Sequence, residues 1–413
     1  MTSVLDRFLK YVAYDTQSRE GSDTYPSTPG QLVLLGDLVK ELREIGVADA
    51  AIDEHGYVMA TIPATIPKRG IPVVGFIAHV DTSPEMSGAG VKPILHRDYR
   101  GTDLVLPDDP QAVLRPADSP YLRECIGHDI VTASGTTLLG ADNKSGVAEI
   151  VTAAEHLLAH PEIPHGAIRI GFTPDEEVGQ GTKHFDVRRF GAQYAYTVDG
   201  GARGEFEFET FSADSMLITF RGFNTHPGFA KDRMVNAIKL AARFIERLPA
   251  DGLSPETTEG HEGFVHPYVV QASVDRTMVK LLIRDFVTAK LKEKEAWLES
   301  LAREVVAGVA GAGLEIQVEE SYRNMREVID QHPVVVERAR EAFARAGVPI
   351  RERAIRGGTD GSRLSFMGLP TPNVFAGEQN FHSRLEWVSV QDMEKAVEVI
   401  VQIARAWAQL TSV

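Results

Sequence analysis

Three short runs constrain this chain more than any other feature. IPVVGFIAHV (71–80), AIRIGF (167–172) and AQYAYTV (192–198) are mostly apolar, with β-branched and aromatic residues prominent among them. A strand with one wet face alternates apolar and polar side chains. A run without that alternation fits a strand covered on both faces, as in a parallel sheet. Helical patterns separate these runs. QLVLLGDLVKELREIG (31–46) has apolar residues at 34, 35, 38, 39, 42 and 45, with Gly46 as a stop, and GVAEIVTAAEHLLAHP (146–161) ends at Pro161. Together with the strand-like GYVMATIP (56–63), this alternation predicts an α/β layer built on a mostly parallel sheet.

Near residue 209 the pattern changes. SADSMLITFRG (212–222) alternates with period two, RMVNAIKLAARFIERL (233–248) is helical, and FVHPYVVQASV (264–274) and TMVKLLIRDF (277–286) are strand-like. KLKEKEAWLESLAREVVAG (290–308) is helical again, and LEIQVEESY (314–322) is a last strand. The order β-α-β-β-α-β is the split arrangement of ferredoxin-like domains. At 413 residues the chain exceeds what one core usually serves. The expected organisation is therefore a larger domain in two segments (1–208 and 322–413) with a smaller α+β domain (209–321) inserted between them. The last segment ends in a helix, with Ser389 and Asp392 suited to a capping box and an apolar stripe at 393, 396, 397, 400, 403 and 407. Residues 83–135 are rich in Pro, Gly and Asp and weakly patterned, and so long a segment is usually functional.

With 43 Lys and Arg against 58 Asp and Glu, the formal charge is −15, which argues against nucleic acid or anionic membrane as the main partner. The single cysteine, Cys125, fits a reducing compartment. The opening MTSVLDRFLKYVAYD has helical apolar spacing broken by charge, unlike a signal peptide. No run approaches the ~20 apolar residues of a membrane span. A cytoplasmic protein is the simplest expectation.

Acids and histidines gather where the apolar strands end. His79 and Asp81 close the 71–80 region, Asp142 precedes the 146–161 helix, and Asp199 follows AQYAYTV. TPDEEVGQG (173–181), after AIRIGF, sets Asp175, Glu176 and Glu177 side by side. Sites in open α/β sheets form beyond the carboxyl ends of strands. Taken singly, each feature has a plain reading: a local His–Asp pair, a wet acidic turn, an ordinary HPG turn at 226–228, a salt bridge for Arg284. Taken together, four acid-bearing loops converging on one sheet end need neutralising. Histidine with carboxylate suits a zinc-type cation. His156 and His160, four apart, stand at a helix end where histidine meets the dipole favourably, so no site is assigned to them.

At this point the sequence resembles a known family. HVDTSPE, LLGADNKSG, FTPDEEVGQG, YTVDGG, HPGFAKDRMVNA, IRDF, IRGGTDGSRLS and QNFHSRLEW occur in this order, as in the peptidase T family of tripeptide aminopeptidases among the co-catalytic dizinc exopeptidases. The resemblance spans essentially the whole chain. It implies two zinc ions per subunit, His79 and Asp199 on one, Glu177 and His382 on the other, and Asp142 between them. It further implies that Asp81 orients His79, that Glu176 is the general base toward a bridging water, and that His226 stabilises the oxyanion from the inserted domain. Arg284 and Arg356 resemble substrate anchors, with Gly357, Gly358 and Gly361 letting backbone N–H groups approach the peptide. Asn143 stands where some members carry a second Asp.

Three functions remain in view on the sequence. The first is a tripeptide aminopeptidase acting on small peptides. The second keeps the metals but changes the substrate: a dipeptidase, carboxypeptidase or N-acyl-amino-acid deacylase. The third, a binding protein without turnover, is disfavoured by the presence of both Glu176 and His226. The inserted domain also offers a free sheet edge and a helix face through which a homodimer could form.

Overall fold

The computed structural model describes residues 1–67 and 70–409. They divide into two compact units. The first comprises Met1–Phe208, Glu327–Arg353 and the described residues from Thr359 onward; the second comprises Glu209–Arg326 with Ala354–Gly358.

The first unit is built on an eight-stranded sheet, in the order 51–52, 58–62, 168–173, 74–79, 194–198, 373–374, 205–210, 351–355. Its four central strands, from 168–173 to 373–374, run parallel. The neighbours 58–62 and 205–210 are antiparallel to them. Every residue of Val74–His79 is buried, which explains the missing alternation: Ile77 packs with Tyr57, Phe185 and Phe190, and Phe76 stacks on Tyr196 at 6.0 Å. Each such side chain contributes ~1.5–3 kcal/mol when fully buried. The helix Ala141–Ala159 packs on this strand and on the helices Val4–Tyr11 and Val390–Ala408.

Two local expectations are corrected. The helix expected from 146 begins at Ala141, although Asp142 and Asn143 keep non-helical φ/ψ. Asp142 thus stands just ahead of the regular helical stretch, in a distorted first turn. At the last helix, Ser389 accepts the Asp392 N–H as an N-cap should. The return bond of a capping box is not made; the Asp392 carboxylate instead takes a hydrogen bond from Tyr121 Oη at 2.7 Å on Oδ2.

Residues 83–135 contribute strands of only two or three residues. Ile94–His96 and Ile130–Thr132 join Trp387–Ser389 and Glu378–Gln379 in a separate four-stranded antiparallel sheet. This small sheet brackets the turn that carries His382.

In the second unit the strands order as 264–272, 276–285, 212–221, 313–322, all antiparallel. The helices Ala237–Glu246 and Thr288–Val306 bury Leu240, Phe244 and Leu298 with Ile218, Phe220, Leu281 and Ile283 from the strands. This is the βαββαβ fold. The unit runs to Arg326, beyond the expected limit at 321. Arg323 pairs with Asp214 at 2.6 Å, and Asn324 Nδ2 donates to Phe286 O at 2.9 Å. Ala354–Gly358 also belongs here and not to the second segment of the larger domain: Phe211 N–H donates to Ile355 O at 3.1 Å. Among the described residues no helix is long and apolar enough to cross a membrane.

Candidate active site

Three of the four central parallel strands deliver their charged ends to one place. His79 is the last residue of Val74–His79, Asp175–Glu177 follow Ile168–Thr173, and Asp199 follows Tyr194–Val198. Asp142 joins them from the first turn of Ala141–Ala159, and His382 from the turn after Glu378–Gln379. Its φ of +61° is uncommon for a residue other than glycine and is held only where the surroundings impose it.

Asp142 stands between the two histidines. Its Oδ1 is 2.9 Å from His79 Nε2 and its Oδ2 is 3.4 Å from His382 Nε2. His79 Nε2 also lies 3.6 Å from Asp199 Oδ1, and His382 Nε2 lies 2.8 Å from Glu177 Oε2. His79, Asp142 and Glu177 offer ligand atoms within 4.8 Å of one another, as do Asp142, Asp199 and Glu378. Glu177 Oε1 is buried without a hydrogen-bond partner, and an orphaned buried carboxylate oxygen is costly unless a cation satisfies it. The donor set, imidazole nitrogen plus carboxylate oxygen, suits a zinc-type ion.

Asp81 is fully buried and organises its neighbours. His79 Nδ1 faces Asp81 O at 3.0 Å and Asp81 Oδ1 at 3.3 Å. That contact leaves Nε2 as the free ligand atom, the usual arrangement behind a metal-binding histidine. The same carboxylate accepts the N–H of Glu176 at 3.0 Å and of Glu177 at 3.1 Å. Asp175 has a different task. Its carboxylate accepts from Ser27 N at 2.6 Å and Gln31 Nε2 at 2.7 Å, while its own N–H donates to Gln31 Oε1 at 3.0 Å. It pins the turn, with φ +58°, so that Glu176 and Glu177 can project from it.

Burial raises the Glu176 carboxyl well above its ordinary range, with Asp360, Asp199 and Glu177 adding to the shift against the opposing effect of His79. Burial, then Asp142, push Glu177 up to about 8. His382 rises to about 11: burial works against it, but hydrogen bonds to Asp142 and Glu177 prevail. Asp142 alone is lowered, because its hydrogen bonds and charge interactions with His382 and His79 overcome burial.

The profile of peptidase family M20/M25/M40 matches residues 136–406. The chain belongs to this family. Among its relatives is peptidase T of Clostridium acetobutylicum, 50% identical over 99% of this chain and 100% of that protein. Two solved structures share the M20 fold: aminopeptidase PepT from Bacillus cereus (TM-score 0.76, 24% identity, 98% of both chains) and a tripeptidase from Staphylococcus aureus (TM-score 0.78, 21% identity, 98% of both chains).

Other residues of this M20 chain went unnoticed in the sequence. Glu386, between His382 and Trp387, is buried and accepts the N–H groups of Leu139, Gly140 and Asp142 at 2.7, 2.8 and 2.9 Å. It fixes the backbone that presents Asp142, and burial lifts its carboxyl to about 7. Glu378 and Asp360 are also buried acids of this region. Only their positions near the recognised motifs could have suggested them.

The remaining expected residues lie in the second unit, except Gly361, which belongs to the first. His226 is exposed, and its Nδ1 accepts the Gly228 N–H at 3.1 Å. In the neutral ring that leaves the proton on Nε2, as a donor. Arg284 Nη1 donates to Arg356 O at 3.0 Å, and its Nε is buried without a partner. Arg356 does not present a free fork. Nη1 donates to Gly260 O and Glu262 O, and Nη2 to Thr258 O and Oγ1, so its terminal N–H groups hold the 258–262 loop. Gly358 likewise has a packing reason, since a Cβ there would lie 2.6 Å from the Tyr322 ring, whereas at Gly357 the nearest atom would be 3.8 Å away. Gly361 sits in the Asp360–Phe366 helix, where a Cβ would meet Thr371 O at 2.6 Å.

A third group of possible ligands, Cys125, His128 and Asp392, lies elsewhere in the first unit. Asp392 already accepts from Tyr121 and has Arg203 Nη1 3.6 Å from its Oδ1. A guanidinium thus stands where a cation would have to approach.

Proposed function

We propose that the chain is an aminopeptidase that releases the N-terminal residue of tripeptides using two zinc ions per subunit. The observation that carries this reading is Asp142, with one carboxylate oxygen turned to each histidine. His79 and Asp199 would hold one ion, Glu177 and His382 the other, with Asp142 shared. When bound, such ions polarise a peptide carbonyl and lower the pKa of a water to ~7.

The chain's own residues supply the rest. Asp81 keeps the His79 proton on Nδ1 and aligns the backbone of Glu176 and Glu177. Among the described residues no hydrogen bond reaches the Glu176 carboxylate, and its raised pKa suits a group that takes a proton from the attacking water and passes it to the leaving nitrogen. The Nε2–H of His226 is assigned to the oxyanion, and Arg284, whose Nε has no partner, to the peptide's carboxylate. Arg356 positions Arg284 through its carbonyl. The division into a catalytic unit and an inserted unit that brings His226 belongs to the same proposal, as does a reducing, cytoplasmic setting for the lone, buried Cys125.

The test is hydrolysis of a free tripeptide, its dipeptide and tetrapeptide relatives, and the N-acetylated tripeptide, side by side with zinc-loaded protein. Release of the N-terminal residue from the free tripeptide alone is expected. Preferential cleavage of the blocked or shorter substrates would replace the tripeptide reading with that of a deacylase or dipeptidase.

A further inference from the structure

Glu378 is left over by that ligand set. It begins the short strand Glu378–Gln379, is 2% exposed, and offers a carboxylate oxygen within 4.8 Å of ligand atoms of Asp142 and Asp199. Among the described residues, one hydrogen bond reaches its carboxylate, from Ser145 Oγ at 3.1 Å. That hydroxyl has one proton and also faces Ala141 O at 2.7 Å, so Glu378 has at most a share of it. No salt bridge reaches Glu378 among the described residues. Its charged surroundings are the acids Asp142, Asp199 and Glu149, with His79 as the opposing cationic group.

Other buried acids nearby are differently provided for. Asp81 accepts two backbone N–H groups, Glu386 accepts three, and Asp175 is held by Ser27 and Gln31. Glu149 also lacks donors but is not among the grouped ligand atoms. A buried carboxylate that faces two others without committed donors is stable only with a cation beside it or a proton on it.

We propose that Glu378 is a further ligand of the ion held by His79 and Asp199. The inference rests on the two-metal reading above. Glu378 and His382 are the two ends of one turn, in which Asn380 and His382 take φ of +52° and +61°. Glu378 stands on the Asp199 side of Asp142 and His382 on the Glu177 side. A single five-residue loop thus carries a donor to each ion. The His79 ion gains a third carboxylate and the His382 ion does not, so the two differ in charge and in oxygen content.

The experiment is a zinc titration of chelator-treated protein against a chromophoric competitor, comparing wild type with Glu378→Gln. Gln keeps the shape and can still hydrogen-bond, but it does not supply a carboxylate. The wild type is expected to take up two ions. The variant is expected to hold one of them about 10–100-fold more weakly, with the other unchanged and an altered visible spectrum when cobalt replaces zinc. Glu378→Asp, a shorter carboxylate that guards against misfolding of the Gln variant, should fall between the two. Wild-type affinity for both ions in Glu378→Gln would overturn the assignment and indicate a protonated, hydrogen-bonding Glu378. Equal weakening of both ions would also overturn it. Wild-type protein binding fewer than two ions would instead remove the two-metal reading, and this inference with it.

Discussion

Asp81→Asn is the sharpest probe of how the site is held. The Asp81 carboxylate accepts two backbone N–H groups, from Glu176 at 3.0 Å on Oδ1 and from Glu177 at 3.1 Å on Oδ2, and Oδ1 lies 3.3 Å from His79 Nδ1. Asn offers one acceptor oxygen and one NH2. Whichever way it sits, one backbone N–H faces a donor. The loss is one hydrogen bond to a charged group, about 1.5–3 kcal/mol. In the metal-free protein this is partly offset, because a negative charge leaves a cluster of acids. In the metal-bound protein there is no such offset, since the imidazole loses the carboxylate that strengthens it as a ligand. The expected result is a fall in zinc affinity of about 10–100-fold, worth about 1.4–2.7 kcal/mol at 1.36 kcal/mol per tenfold, with a smaller change in metal-free melting temperature. Chelator competition measures the first and thermal unfolding in EDTA the second. Unchanged affinity would refute the orienting role, and an equal loss in both states would reduce Asp81 to a structural residue.

Glu176→Gln should bind zinc with undiminished affinity yet lose about 10²–10⁴ in kcat, measured as tripeptide hydrolysis at saturating metal. Metal-free stability should fall as pH rises from about 5 to 9. Glu386 (about 7), Glu177 and Glu207 (each about 8) titrate above their ordinary value of 4.5; the stability they contribute is present below that value and lost as pH climbs through the folded one. Zinc affinity should rise over the same interval, since the ion must displace those protons, and melting curves with EDTA or zinc across it check both signs. Gly358→Ala should destabilise by about 1–3 kcal/mol because a Cβ meets the Tyr322 ring at 2.6 Å, while Gly357→Ala, with 3.8 Å of room, should leave the melting temperature unchanged.

The sequence made legible what has a period or a charge anomaly. Val74–His79 lacks alternation because both its faces are covered, and Ser212–Arg221 alternates because its Met216, Ile218 and Phe220 side chains pack in the second unit's core. The acids at the strand ends stood out because like charges are improbable there. Strands of two or three residues have no measurable period, so the small sheet linking 94–96 and 130–132 to 378–379 and 387–389 could not be read from residues 83–135. Glu386 and Glu378 were hidden for another reason: a single Glu in a loop has no pattern, and its role appears only when three backbone N–H groups or two other carboxylates close around it. Arg356 shows the opposite failure. Its motif resembles a substrate anchor, but the fork is occupied by the carbonyls of Thr258, Gly260 and Glu262, 94 to 98 residues away in sequence and beyond the span of any motif.

The titration pattern explains how such a site can be shaped before any metal arrives. His79 and His382 are both raised, and so are Glu176, Glu177, Asp199 and Glu378; of the assigned ligands only Asp142 is lowered. Burial thus favours the protonated form of the outer carboxyls, while hydrogen bonds to the two imidazoles favour the ionised form of the central one. The contacts they make, His79 to Asp142 at 2.9 Å and His382 to Glu177 at 2.8 Å, hold four loops in place that mutual repulsion would otherwise spread. Hydrogen bonds to Asp81 and Glu386 fix the backbone behind them. An entering cation then replaces protons at preset positions and does not have to gather the loops itself. Little ordering entropy remains to be lost on binding, the general advantage of preorganised sites. The same arrangement makes the site a proton–metal exchanger, whose occupancy must follow pH even where the fold around it does not move.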